Sequence, residues 1–351
     1  MLDASPISEI SQFNSARLSE GARQYAAKSF RSGTRRQYAT ALKQWLQWRG
    51  LMDLEPANAI DVANFLAELA TAGKSISTLR TAIAALRAGH AAKGWSFDTS
   101  APPIRLVMRG IANADYRLPE QVEPLRGSTL AGILAAIAEG NPSPRDLRDA
   151  AVLAIGYAFA LRRSEVVGLD FQLLGQGKQR GTGVLSLAPA TIQITFAISK
   201  TSRGMSEVVS VPRDELTLAA SAIEAWLVAA GVEPGQPVFQ RVSKAGKIQG
   251  RLSAQTVAAI VKTRIAKHSR SKNGAQSCFA EFEAARFSGH SLRVGFCVSA
   301  AEAGADIRSI ASVTRHRSMI MPARYSQRAD QLRASPHRLA GVGLKAPGGK
   351  E

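Results

Sequence analysis

Little in this sequence points to metal, redox or membrane chemistry. Only two of its 351 residues are cysteines, Cys278 and Cys297. They lack metal-ligand spacing, and one candidate pair is weak ground for a disulfide in so long a chain. A reducing, cytoplasmic setting fits best. No apolar run approaches the roughly 20 residues that span a bilayer. The opening, MLDASPISEISQF, lacks the basic region and apolar stretch of a signal peptide. There is no GxxxxGK(S/T) phosphate loop, no cluster of carboxylates for a metal and no internal repeat. The expected cofactor set is therefore none.

Acidic residues are also scarce. Asp and Glu number 27 against 45 Lys and Arg, a net charge of +18. The excess is concentrated: from Arg241 to the end there are 20 Lys or Arg and 6 Asp or Glu. A basic surface of this size suits a phosphate-rich partner. An acidic membrane surface would also attract it, but no amphipathic membrane helix or lipidation motif accompanies the charge. Nucleic acid is the expected partner. With 45% hydrophobic and 21% charged residues, the chain reads as globular.

Hydrophobic periodicity divides the chain into two helical regions. Residues 1–25 read as a loose arm. Helices are predicted over 34–49 (Tyr38, Ala41, Leu42, Trp45 and Trp48 aligned), 57–72 (Ile60, Phe65, Leu69), 75–93 (Ile76, Leu79, Ile83, Leu86) and 104–111. They make an all-helical domain over 26–113. The polar segment 114–127, ADYRLPEQVEPLRG, holds two prolines and reads as a linker. A second domain, 128–335, starts with helices over 129–139 and 145–161. Short β-branched strands follow at 184–188, 191–198 and 207–212, the only convincing β region. Helices return over 214–230 and 252–268. The stretch 269–277, SRSKNGAQS, reads as a basic loop, with short helices beyond it to about Ala334. The Gly- and Pro-rich 336–351 reads as a fraying tail.

Four pieces of the second domain carry unusual polar residues. The first is Arg162-Arg163-Ser164-Glu165, at the end of the apolar run AVLAIGYAFA. Arg162 there either points into a cleft or simply favours a helix C-terminus. The second is Ser199-Lys200-Thr201-Ser202-Arg203-Gly204, between two strands. Lys200 can swing toward a ligand from a hairpin tip, although a solvated turn lysine is the more common case. The third is His290-Ser291-Leu292-Arg293, whose outer members share a helical face and offer one ligand an imidazole and a guanidinium. An isolated HxxR also arises by chance. The fourth is Arg315-His316 with Tyr325 nine positions after the histidine; a buried tyrosine with a locally satisfied hydroxyl is the bland alternative.

Taken in order, the pieces read Arg, Lys, His-x-x-Arg, His, Tyr. In this the sequence resembles the tyrosine recombinases, or lambda-integrase family. The matching pieces are LRRSE (161–165), SKTSRG (199–204), HSLRVG (290–295) and RHRSMIMPARYS (315–326). HSLRVG with the following AGADIRSIA is closest in appearance to Cre-like members. The resemblance covers roughly 34–333. It departs from the family pattern at Arg315, where many members have glycine, and at Arg163, where a small or aliphatic residue is common.

The resemblance implies a mainly α fold with a small β-sheet. An all-helical, SAM-like core-binding domain and an α+β catalytic domain would form a C-shaped clamp on DNA. It implies a catalytic set of Arg162, Glu165, Lys200, His290, Arg293, His316 and Tyr325. Further DNA contacts are assigned to Lys74, Arg80, Arg87, Arg163, Lys244 and Arg315. It also implies a 3′-phosphotyrosyl intermediate and a Holliday junction. The assembly would be a homotetramer on two paired inverted-repeat sites, formed from a protein monomeric in solution and associated with the nucleoid. A type IB topoisomerase or telomere resolvase would use similar residues. A regulator that has lost the chemistry would keep only the DNA binding.

Overall fold

The computed structural model describes residues 19–21, 25, 30, 32–114, 122–172, 181–196, 206–273 and 277–315. The chain divides into two compact units, Met1–Pro119 and Glu120–Glu351.

The described core of the first unit is built from α1 (Ser32–Arg49), α2 (Ala59–Thr71), α3 (Ile76–Ala92) and α4 (Pro102–Ala114). Each begins within two residues of the position that periodicity predicts. The Asn58 side chain caps α2 by accepting from the Asp61 amide at 2.8 Å, a contact of about 1 kcal/mol. Trp45, Leu42, Phe65, Leu66, Leu79, Leu86 and Ile104 form the core. Ile60, expected in the α2 stripe, is instead 64% exposed, and Val62 and Leu66 take the buried positions. Within the predicted arm, Glu20, Gly21 and Tyr25 are helical. The tail 336–351 lies outside the described residues.

His90 is fully buried near the end of α3. Its Nδ1 lies 2.8 Å from the Leu86 carbonyl, while Nε2 accepts the Ala57 amide at 2.9 Å. An accepting Nε2 cannot carry a proton, so the ring is neutral. Burial pushes its pKa below the ordinary 6.5, partly opposed by the Leu86 bond. The contribution to stability is complete above pH 6.5 and is lost as the pH falls below it, because the unfolded chain then takes up a proton that the folded one refuses. The first unit is expected to melt at progressively lower temperature as the pH falls below about 6.5. His90→Gln should flatten this dependence. Three of the four tryptophans lie in this unit, so tryptophan emission follows it; equal slopes in both proteins would refute the role.

The second unit opens with α5 (Gly127–Ala138), α6 (Pro144–Ala158) and α7 (Arg163–Val167). A four-stranded sheet follows, in the order β1 (Leu169–Phe171), β2 (Gly183–Leu187), β3 (Thr191–Phe196), β4 (Glu207–Pro212). β1 and β2 are parallel and the other pairs antiparallel. After a 3-10 turn at Asp214–Leu216 come α8 (Thr217–Ala230) and a hairpin of β5 (Gln240–Val242) and β6 (Ile248–Arg251). The chain continues through α9 (Ala254–Asn273), α10 (Ser277–Ala285), α11 (Ser291–Glu302) and α12 (Ile307–Thr314). Its core joins α5, α6, α8 and α9 to one face of the sheet, with Phe159, Ile192, Ile194, Trp226 and Val261 at its centre.

Three expectations change. β1 and the β5–β6 hairpin were not anticipated. The basic loop expected at 269–277 is largely helix: α9 runs on to Asn273 and α10 starts at Ser277. Side chains hold this polar end, with Ser269 Oγ donating to Glu283 at 3.1 Å and Arg270 pairing with Glu281 at 2.8 Å. Finally, residues 122–126 of the expected linker do not hang free. They run beside α11. The Glu123 amide donates to the Arg286 carbonyl, and the Leu125 amide to that of Ser291, both at 3.0 Å. Arg126 pairs with Glu302 at 2.8 Å, and the Gly127 amide donates to Ser299 Oγ at 3.2 Å. Gly295 permits this approach, because a Cβ there would overlap the Leu125 carbonyl.

Candidate active site

The site is assembled at the ends of helices. α6 stops in a buried turn in which Ala160 takes φ +46°. This sparsely populated conformation, costly for an L residue, aims the Ala160 carbonyl at Arg293. Arg162 follows as the N-cap of α7. Its backbone amide and Nη1 donate to the two oxygens of Glu165, each at 2.8 Å. The Arg162 side chain is half exposed and that of Glu165 largely covered. Glu165 therefore fixes the root and the tip of Arg162 together.

His290 caps α11 and Arg293 stands one turn into it. Arg293 is 1% exposed. Its Nη1 donates to the Ala160 carbonyl at 2.8 Å and its Nη2 to the Thr314 carbonyl, at the end of α12. One guanidinium so links the turn before Arg162 to the turn before His316. Burial, and then the charge of Arg162, lower its pKa to about 10, which leaves it charged at neutral pH. At His290, partial burial and the cations Arg293 and Arg162 hold the pKa below 6.5. The imidazole is thus neutral at pH 7, fit to accept a proton, and it keeps an exposed edge.

Arg315 departs from its sequence assignment as a DNA contact. Its side chain is 7% exposed and donates to Glu165 at 2.7 Å. Of the other proposed contacts, Lys74, Arg80, Arg87, Arg163 and Lys244 are exposed. Lys74 immediately precedes the Ser75 cap of α3. Arg80 and Arg87 lie on α3, two turns apart. Lys244 stands in the β5–β6 turn. Lys200, His316 and Tyr325 lie outside the described residues. Phe196 and Glu207, which bracket the Lys200 segment, pair across β3 and β4. Sequence reasoning missed Ala160, Thr314, Phe196 and Glu207, which bear no chemical signature of their own; only the unusual arginine at 315 gave a local signal.

Among the described residues, no group of three or more His, Cys, Asp or Glu is arranged to hold a metal, and no helix is long and apolar enough to cross a membrane. Cys297 is buried, with burial pushing its thiol up to about 11. What the described residues do bring together is an exposed cation, Arg162, a buried one, Arg293, a neutral histidine and the carboxylate that orients Arg162, a positive setting suited to an anion with a proton acceptor beside it.

The model of the Phage integrase family matches residues 124–331, and that of the phage integrase N-terminal SAM-like domain matches 24–95. An integrase/recombinase xerD homolog from Selenomonas ruminantium is 28% identical over 328 residues, covering 90% of this chain and 88% of the relative. Among solved structures, a XerH site-specific recombinase bound to palindromic difH substrate aligns with a TM-score of 0.57 at 15% identity, over 92% of this chain and 83% of that one. The Tn1549 transposon integrase in complex with transposon right end DNA aligns at 0.53 and 15% identity, over 95% and 100%. These structures share the fold.

Proposed function

We propose that this chain, which belongs to the phage integrase family, the tyrosine site-specific recombinases, cuts and rejoins double-stranded DNA at inverted-repeat sites through a 3′-phosphotyrosyl intermediate. The observation that carries this reading is the convergence of Arg162, His290 and Arg293, with Arg293 bound to the carbonyl of Thr314, two residues before His316 in sequence.

A phosphodiester is anionic and resists attack, so charge must be stabilised where it develops. Arg162 and Arg293 would hold the non-bridging oxygens, as a planar guanidinium fork suits them, and His316 would add a hydrogen bond. The Tyr325 hydroxyl attacks phosphorus and passes its proton to the neutral His290. The bond to the 5′-oxygen breaks, and Lys200 protonates that oxygen as it leaves. Glu165 orients Arg162 without reacting. The phosphoryl bond is kept in the tyrosyl link, so a 5′-hydroxyl from a partner duplex can reverse the step with no ATP. Two such exchanges, in a tetramer on paired sites, would pass through a Holliday junction.

The test is covalent capture. Duplexes cut from the DNA flanking the gene, nicked so that the 5′-hydroxyl fragment escapes, should become attached to the protein through their 3′ ends. The attachment should survive denaturation and be indifferent to chelators. If no duplex is ever captured, the reading fails. Capture of duplexes without regard to sequence would favour a topoisomerase.

A further inference from the structure

We propose that Arg315 is a positioning residue that locks the segments bearing Arg162, Lys200 and His316 to one another. The proposal rests on the roles just given and concerns a position where the family pattern has glycine.

The backbone first explains the glycine. Arg315 ends α12 with φ +54° and ψ +42°, the left-handed conformation. There a helix commonly closes with glycine, which has no Cβ to clash. An arginine is strained at such a position, because its Cβ crowds the following carbonyl. It persists where its surroundings determine it strongly.

Those surroundings come from three places. Arg315 Nη2 donates at 2.7 Å to Glu165 Oε2, the oxygen that also accepts the Arg162 amide. Its guanidinium carbon lies 3.6 Å from the centre of the Phe196 ring, close enough for stacking as well as cation–π attraction. Its Nε is 3.8 Å from Glu207 Oε2. Phe196 and Glu207 are the paired residues at the neck of the segment that contains Lys200. The residue after Arg315 is His316. A single buried guanidinium therefore touches the residue that orients Arg162 and both Phe196 and Glu207, the paired residues that flank the Lys200 segment in sequence, and the backbone that carries it leads directly into His316. Charge adds to this. Glu165 is shared between two cations, so its hold on Arg162 is weaker than that of an undivided carboxylate, and Arg162 can turn to a phosphate at less cost.

The test uses the full chain and Arg315→Gly, which suits the left-handed backbone and removes only the side chain. Arg315→Lys is the companion, keeping charge without the flat fork. With a nicked duplex from the gene's flanking DNA, at saturating protein, Arg315→Gly should slow single-turnover cleavage by about 30-fold, as expected for misplaced catalytic groups. Affinity for the duplex should stay within about threefold, since the Arg315 side chain is buried and engaged by Glu165 and Phe196 rather than free to reach DNA. Millimolar guanidinium should restore part of the rate, and equal sodium chloride should not. Arg315→Lys should fall between. Without DNA, hydrogen exchange at residues 162–167 and 207–209 should quicken in Arg315→Gly. Wild-type cleavage by Arg315→Gly, or unchanged exchange in those segments, overturns the proposal; so does a matching loss of affinity, which makes Arg315 a DNA contact. If the wild type captures no DNA, it is the recombinase reading that fails, while the exchange measurement still decides whether Arg315 joins the segments.

Discussion

Tyr325→Phe is expected to bind DNA as the wild type does and to yield no covalent protein–DNA product. Phenylalanine keeps the ring and loses the attacking atom. Affinity should survive, because it depends on phosphate contacts spread over the basic surface rather than on one hydroxyl. The loss should also be deeper than that caused by either arginine. Removing a group that stabilises developing charge costs about 10²–10³ in rate, so Arg162→Ala should retain a measurable trace. A phenol has an ordinary pKa of about 10 and gains acidity from nearby cations, so Arg162→Ala should also move the rate toward higher pH. Denaturing gels of nicked-duplex reactions, set beside mobility shifts, measure both quantities. A denaturation-resistant adduct with the phenylalanine variant would assign the nucleophile elsewhere.

The largest expected loss of stability lies away from the chemistry, in α6. Asp149 Oδ1 accepts from Arg148 Nε and Nη2 at 3.0 and 2.6 Å, and Oδ2 accepts from Arg264 Nε and Nη2 at 2.8 and 2.6 Å. Arg264 also pairs with Asp146 at 2.7 Å. The side chains of Asp149, Arg148 and Arg264 are each at most 7% exposed. Asp149→Ala leaves both arginines buried without their shared carboxylate, which should cost about 3–5 kcal/mol. At about 2–4 °C per kcal/mol for a unit of this size, calorimetry should show its transition lowered by roughly 10 °C. Replacing Arg148, Asp149 and Arg264 together by apolar residues of similar volume should recover most of the loss, because no fully buried charge is then stranded and the partly exposed Asp146 keeps its Ser143 bond. A transition for Asp149→Ala within a degree of wild type would mean that water already solvates these guanidiniums.

The helices of the first unit were legible because their apolar residues recur with a period that only a helix satisfies. Ile60 shows the limit of that signal: it shares the spacing of the stripe without facing the core. β1 and the β5–β6 hairpin escaped notice because three or four residues, among them Asp170, Gln240 and Arg241, are too few and too polar to show alternation. Residues 269–273 looked like loop because their helix is held by partners on α10, which composition does not reveal. At the site, the order of residue types was legible, and Arg162 and Glu165 meet as their spacing within one helical turn suggests. Arg315 was not legible as a buried residue. Its partner Glu165 is 150 positions away, and a left-handed arginine leaves no periodic trace. Lys200, His316 and Tyr325, the rest of the motif, lie outside the described residues.

The run of contacts from Glu123 to Gly127 has a practical consequence for grafting. Exchanging the first unit for a different domain requires a splice, and the start of regular helix at Gly127 is the tempting place for it. A graft cut there would discard the amides of Glu123 and Leu125 and the Arg126–Glu302 pair, which seat the helix that carries Arg293. The transplanted protein would acquire its new module with the arginine loosened in its setting. A splice before Glu123 keeps the five residues with the unit they brace, and spacers of any length added upstream of it would leave that helix seated.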